Sequence, residues 1–230
     1  MELITLYHGS GQIVESPDLS ASRPYNDYGR GFYCTEYPAL AGEWAVSERS
    51  DGYINAYELN TEGLNVLDLN AGDYHLLHWL ALLMNNRRIR LSTPLMRRGA
   101  KWLTDNYLIS LEDVDIVRGY RADDSYFSFA RSFVNNEISL QQLGSAMYLG
   151  KLGEQIVLKS RKAFQEIHFL YYEPADHSFY YIKRVQRDLH ARSSWQEILE
   201  KEDEDGLYIR DLIKSPPDEE ELKKLCRCAR

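Results

Sequence analysis

Leu3-Ile4-Thr5-Leu6-Tyr7 runs directly into His8-Gly9-Ser10-Gly11. A short apolar run followed by small, turn-forming residues reads as a strand that ends in a turn. Gly29-Arg30-Gly31 then opens a second short run, Phe32-Tyr33-Cys34-Thr35. A third, Ile156-Val157-Leu158, is entered through Gly153-Glu154-Gln155. These three segments place polar or glycine-rich residues at strand ends, where a sheet offers side chains to a cleft.

Outward from them, the chain alternates short strands and helices. Pro38 sits at a first helical position, and Ala39 to Ser47 is predicted helical. Tyr53 to Leu59 and Leu64 to Leu69 read as strands. Asp73 is the expected N-cap of a helix whose apolar face is Leu76, Leu77, Leu80, Leu83 and Met84. Further helices are expected over Pro94–Leu108, Tyr126–Phe133 and Ser139–Leu149, and strands over Val114–Gly119, Gln155–Lys159 and Ile167–Tyr172. After Pro174 the composition turns polar: Trp195 to Asp205 reads as an acidic helix, and Pro216-Pro217 precedes a last charged helix, Glu219 to Leu225. The fold class is therefore α+β, with a domain over residues 1–172 and a polar, acidic extension over 173–230.

The 230 residues carry 27 Lys and Arg against 35 Asp and Glu, a net charge of -8 that argues against broad binding to nucleic-acid backbone. The basic clusters Arg87-Arg88-Ile89-Arg90 and Arg97-Arg98 read as solvated helix faces or as a groove for an acidic acceptor. No apolar run reaches the roughly 20 residues needed to cross a bilayer. Met1-Glu2-Leu3-Ile4-Thr5 lacks the features of a signal peptide, so a cytoplasmic protein is expected, with no membrane partner. Three cysteines, Cys34, Cys226 and Cys228, are too few for a disulfide framework. His75 and His78 have legal ligand spacing but no carboxylate or Cys at a suitable offset, so they read as surface residues and no metal is expected.

Each of the three strand-end segments has a bland reading and a chemical one. His8 is a surface histidine in a turn, or a hydrogen-bond partner for a ribose hydroxyl, with Gly9 allowing a flat amide to approach the backbone. Tyr33 and Trp44 are core aromatics, or the two faces of a sandwich around a planar ring. The Gly29-Arg30-Gly31 pair lacks the third glycine and helix of a dinucleotide-binding turn, which disfavours a Rossmann site. Neighbours on a strand face opposite sides, so only one of Glu154 and Gln155 can point into a cleft.

In order and spacing, Tyr7-His8-Gly9-Ser10, Gly29-Arg30-Gly31-Phe32-Tyr33 and the late Glu154-Gln155 resemble the nicotinamide-site motifs of the ADP-ribosyltransferase superfamily, in its diphtheria-toxin-like, poly(ADP-ribose) polymerase branch. The stretches Asp115–Asp124 and Leu149–Ala163 are similar to a bacterial domain-of-unknown-function family within it, often encoded beside a small antitoxin-like partner. The resemblance covers about residues 3 to 172. It implies an ADP-ribosyltransferase fold of two small packed sheets with flanking helices.

It also implies NAD as substrate. His8 would bond the adenosine ribose, the Gly9 backbone would hold the carboxamide with Ser10 nearby, and Tyr33 and Trp44 would stack on the nicotinamide. Gly31 shapes the turn, and Arg30 beside it would reach the pyrophosphate. Where the polymerase branch has a catalytic Glu, this chain offers Gln155, or Glu154 under the alternative alignment, and Gln155 is the favoured choice. An amide accepts a hydroxyl's hydrogen bond but takes no proton, so Asp123 and Asp124 become candidates for a base, or else cap the helix before Tyr126. The expected activity is mono-ADP-ribosyl transfer to a macromolecular acceptor, protein or nucleic acid, by a toxin of a toxin–antitoxin pair. An NAD glycohydrolase and an inactive domain that binds ADP-ribose or a partner are the rival expectations.

Overall fold

The computed structural model describes residues 2–122, 124–147, 153–201 and 203–226. Strand β1 (Leu3–Ser10) pairs antiparallel with β3 (Gly52–Asn60), and β3 pairs antiparallel with β7 (Ile167–Ala175). A second sheet has the order β2 (Phe32–Cys34), β6 (Glu154–Leu158), β5 (Ile116–Tyr120), β4 (Val66–Asp68). Only its β4–β5 pair is parallel. The two sheets are stitched where β1 meets the end of β2: Tyr7 N–H donates to Thr35 O at 2.8 Å, and Thr35 N–H returns to Tyr7 O at 2.9 Å.

The alternation of β6 divides two cores. Ile156 and Leu158 join Leu6, Phe32, Cys34, Tyr57 and Ile116. Val157, on the other face, joins Val117 and a helical layer built on Leu77, Leu80, Leu103 and Phe133. That layer comprises α2 (Leu76–Asn86), α3 (Pro94–Tyr107), α4 (Asp124–Val134) and α5 (Leu140–Ala146). Thr93 Oγ1 accepts from Met96 N–H and Pro94 fills the first turn, so α3 starts where the sequence says it should. Helix α2 instead starts one turn's edge later than expected, with His75 as its N-cap. Asp73 is spent in a tight turn closed by Tyr74 N–H to Ala71 O.

The remaining helices are α1 (Pro38–Ala45), α6 (Arg161–Gln165), α7 (His177–Leu199), α8 (Ile209–Lys214) and α9 (Glu219–Cys226). The boundary expected at residue 172 falls inside β7. Of the acidic helix expected over Trp195–Asp205, only Trp195–Leu199 is helical, as the end of α7; that helix begins 18 residues earlier, where Asp176 Oδ1 accepts from Ser178 N–H at 2.7 Å, and is capped at Glu200. Trp195 stacks on Phe129 with ring centroids 4.2 Å apart, and Ile209, Leu212 and Leu222 are fully buried in the helical core. Among the described residues, no helix is long and apolar enough to cross a membrane.

His75 is buried, not on the surface as expected, and its Nε2 lies 3.1 Å from Glu219 Oε2 of α9. The carboxylate that no sequence offset supplied comes from 144 residues away. Burial, followed by the charge of His78, pushes the His75 imidazole down to about 4, so it stays neutral beneath α9.

Gly9 shows how the stitching works. A Cβ there would lie 1.9 Å from Ala41 O and 2.8 Å from Ala45 N of α1, so the helix crosses β1 directly against its backbone. Gly9→Ala is expected to lose about 3 kcal/mol in urea unfolding, because backbone must move to admit the methyl. An unchanged unfolding midpoint would show that α1 does not seat on this glycine.

Candidate functional site

Alongside β1, β2 and β6 the surface opens into a cleft of about 940 Å³. His8, Gly9 and Ser10 reach it from β1, Gly31 and Tyr33 from the β2 segment, Trp44 from α1 and Gln155 from β6. Residues spread over nearly 150 positions of sequence are thus brought into one depression.

The hydrogen-bond pattern sets what each side chain can offer. His8 Nδ1 lies 2.8 Å from Tyr33 O. A carbonyl only accepts, so Nδ1 carries the hydrogen and Nε2 is left as an acceptor. Burial lowers the His8 pKa, partly offset by the bond to Tyr33, and the ring is neutral at physiological pH. Asn55, fully buried, fixes the strand behind it: its Nδ2 donates to His8 O at 3.2 Å and Gln12 O at 3.3 Å, and its Oδ1 accepts from Val14 N–H.

Tyr33 is held by both ends. Its hydroxyl donates to Gly29 O at 2.7 Å and accepts from Tyr28 N–H at 3.1 Å, while burial pushes its phenol pKa far upward. It can present a ring but has no proton to exchange. Gly29 turns the chain with φ +74°, a conformation that favours glycine. The Lys159 ammonium ties the same turn by donating to Tyr28 O and Arg30 O. Trp44 is partly buried, with the Arg121 guanidinium 4.7 Å from its ring centroid and its indole N–H without a partner among the described residues.

The carboxylate and the carboxamide at the head of β6 go opposite ways. Glu154 accepts from Arg118 Nε at 2.6 Å and Asn70 Nδ2 at 2.8 Å, on the face away from the cleft. Gln155 is 3 % exposed, and its Nε2 donates to Asp27 Oδ2 at 2.9 Å and to Tyr120 O at 3.1 Å. Both partners are acceptors, so the amide cannot flip, and Oε1 has no hydrogen-bond partner among the described residues. Arg30 does not line the cleft; its Nη1 donates to Ser22 O. Asp123 lies outside the described residues; Asp124 begins α4.

The sequence reading missed three contributors. Asp27, in a loop rich in polar residues, is 6 % exposed and lines the cleft beside Gln155. Its Oδ2 also accepts from Ala122 N–H at 2.9 Å, and burial raises its pKa against the opposing pull of these bonds and of Arg87 and Arg121. Glu43 of α1 is buried with its Oε1 2.6 Å from Arg187 Nη2. Arg184, Arg187 and Arg192 of α7 also line the cleft, together with Arg121 and with Arg87, whose basic cluster the sequence offered as a groove for an acidic acceptor. A loop carboxylate has no periodic signature, so nothing flagged Asp27. The Arg184 and Arg187 spacing fits one helix face, and that pattern was there to be read.

The described cleft therefore has acceptor atoms on its floor, aromatic rings at its side and cations on its wall. A family model described as "Protein of unknown function (DUF3990)" matches residues 4–169. Neither the curated proteins nor the solved structures compared with this chain contain a match.

Proposed function

The chain belongs to the DUF3990 family, and we propose that it has an ADP-ribosyltransferase fold, binds NAD in this cleft and transfers ADP-ribose to a macromolecular acceptor. The observation that carries the reading is the convergence of His8, Tyr33, Trp44 and Gln155 on one cleft. Their chemistry is complementary to the dinucleotide. The acceptors His8 Nε2 and Gln155 Oε1 suit ribose hydroxyls, which donate. Tyr33 and Trp44 suit a flat pyridinium, and the guanidinium groups lining the cleft suit a diphosphate, which would compete for Arg187, Arg192 and Arg184 with Glu43, Asp188 and Val46 O.

The reaction needs little covalent help from the protein. The nicotinamide of NAD is already a cationic leaving group, and its departure passes through an oxocarbenium-like state at the ribose, as in other glycosyl transfers. The site's tasks are to hold the dinucleotide folded, exclude competing geometries and favour positive charge at the sugar. The resemblance of its motifs to the diphtheria-toxin-like branch supports action as a cytoplasmic toxin with a small antitoxin partner.

Incubation with NAD labelled in its adenine half tests this. Transfer of label to macromolecules of a bacterial lysate is expected, whereas free ADP-ribose alone would assign the site to an NAD glycohydrolase. His8→Ala removes one acceptor and the bond that orients Tyr33, and is expected to weaken NAD binding about tenfold by calorimetry. No NAD binding by the natural protein would overturn the reading.

A further inference from the structure

The amide at the inward position of β6 has a carboxylate directly behind it. Asp27 Oδ2 accepts from Gln155 Nε2 at 2.9 Å, and the same oxygen accepts from Ala122 N–H at 2.9 Å. Its Oδ1 is buried with no hydrogen-bond partner among the described residues, although Arg87 Nη1 approaches to 3.5 Å. Burial raises the pKa of this carboxylate, and the Ala122 and Gln155 N–H bonds with the Arg87 and Arg121 guanidinium groups pull toward its charged form. Hydrogen bonds in series polarise one another, so an anion accepting from one end of an amide makes the oxygen at the other end more negative.

We propose that Asp27 and Gln155 work as one unit, in which the buried carboxylate supplies negative charge and the locked amide relays it to Oε1, forming a seat for the cationic end of an oxidised dinucleotide. The proposal rests on the reading of the cleft as an NAD site and adds to it the origin of charge selectivity. Asp27 acts through Gln155 and is a positioning residue. In the step it assists, the ribose C1′–N bond breaks and its electron pair neutralises the pyridinium nitrogen. A nucleophilic oxygen or nitrogen of the acceptor then bonds to C1′, and its proton passes to solvent. Asp27 stays ionised throughout, and the ribose hydroxyl donates to Gln155 Oε1 as positive charge grows beside it.

Asp27→Asn is a suitable probe because an amide oxygen at the Oδ2 position still accepts from both Gln155 and Ala122, leaving charge as the main change. NAD and NADH serve as a matched cationic and neutral pair. The natural protein is expected to bind NAD about tenfold more tightly than NADH, and Asp27→Asn to bring the two together while unfolding at nearly the same temperature. NAD turnover is expected to fall about 100-fold in kcat, with KM changed less than threefold.

The pH profile gives an independent readout. The charged and titratable groups facing Asp27 are Arg87 beyond α2, Arg121 beyond β5, and the Tyr28 and Tyr33 phenols; His8 shares the cleft. Loss of the Asp27 charge on acidification should lower kcat in the natural protein, and that limb should vanish in Asp27→Asn while any limb from His8 persists. A folded Asp27→Asn that keeps both the NAD preference and kcat would overturn the proposal. No NAD binding by the natural protein would instead sink the reading on which it rests.

Discussion

Arg187→Ala is expected to destabilise the protein by about 3–5 kcal/mol, because it strands a buried carboxylate. The Glu43 side chain is 1 % exposed and its Oε1 meets Arg187 Nη2 at 2.6 Å. Arg184, the nearest substitute, is turned toward backbone: its Nη1 donates to Val46 O at 3.0 Å and reaches Glu43 O at 3.5 Å. For a chain of this size the loss corresponds to a drop of roughly 10 °C in Tm. The double variant Arg187→Met with Glu43→Gln removes both charges and is expected to recover most of it. A single-variant loss under 1 kcal/mol in chemical denaturation would show that water reaches Glu43 and that α7 is not clamped there.

The second large effect concerns the chain beyond β7. Truncation after Ala175 is expected to abolish cooperative unfolding, not merely lower the midpoint. It removes Trp195, Ile209, Leu212 and Leu222, each buried against the helical core. At about 1.5–3 kcal/mol per side chain their loss approaches the whole net stability of a typical domain, about 5–15 kcal/mol. The cut also opens the core face on which Trp195 stacks, exposing Phe129. Circular dichroism and a melting curve on residues 1–175 check this. A sharp transition, with NAD binding retained, would restore the expectation of a self-sufficient domain with a polar appendage.

The sequence was informative where side-chain periodicity or turn chemistry is local. The proline at the head of α1 and the Thr93-Pro94 start of α3 carry their own signal and lie as expected, and so does the strand over Leu3–Tyr7, although His8, Gly9 and Ser10 continue β1 in register with Asn55, Ile54 and Tyr53 and do not turn. The choice between Glu154 and Gln155 needed a neighbour: Arg118, on the adjacent strand, draws Glu154 to one face and leaves Gln155 to the other. The long α7 escaped because its apolar residues go round the helix. Phe179, Ile182 and Leu189 are each more than half exposed while Ala191 and Trp195 are buried, so no one-sided stripe marks it. Asp27 escaped for a different reason. Its importance lies in a contact across 128 positions, and nothing in a Ser- and Asp-containing loop distinguishes one carboxylate from the next.

Three arginines of the cleft wall belong to α7, far along the chain from β1, and this orders events during biosynthesis. His8 leaves the ribosome well before Arg184 and Arg192 do. At roughly 5–20 residues per second, the interval between His8 and Arg192 is roughly 10–40 s. During that interval a nascent chain gains Arg87 and Arg121 beside the imidazole well before the guanidinium groups of α7. Ligand contacts that use α7 therefore become available only after that helix has been made.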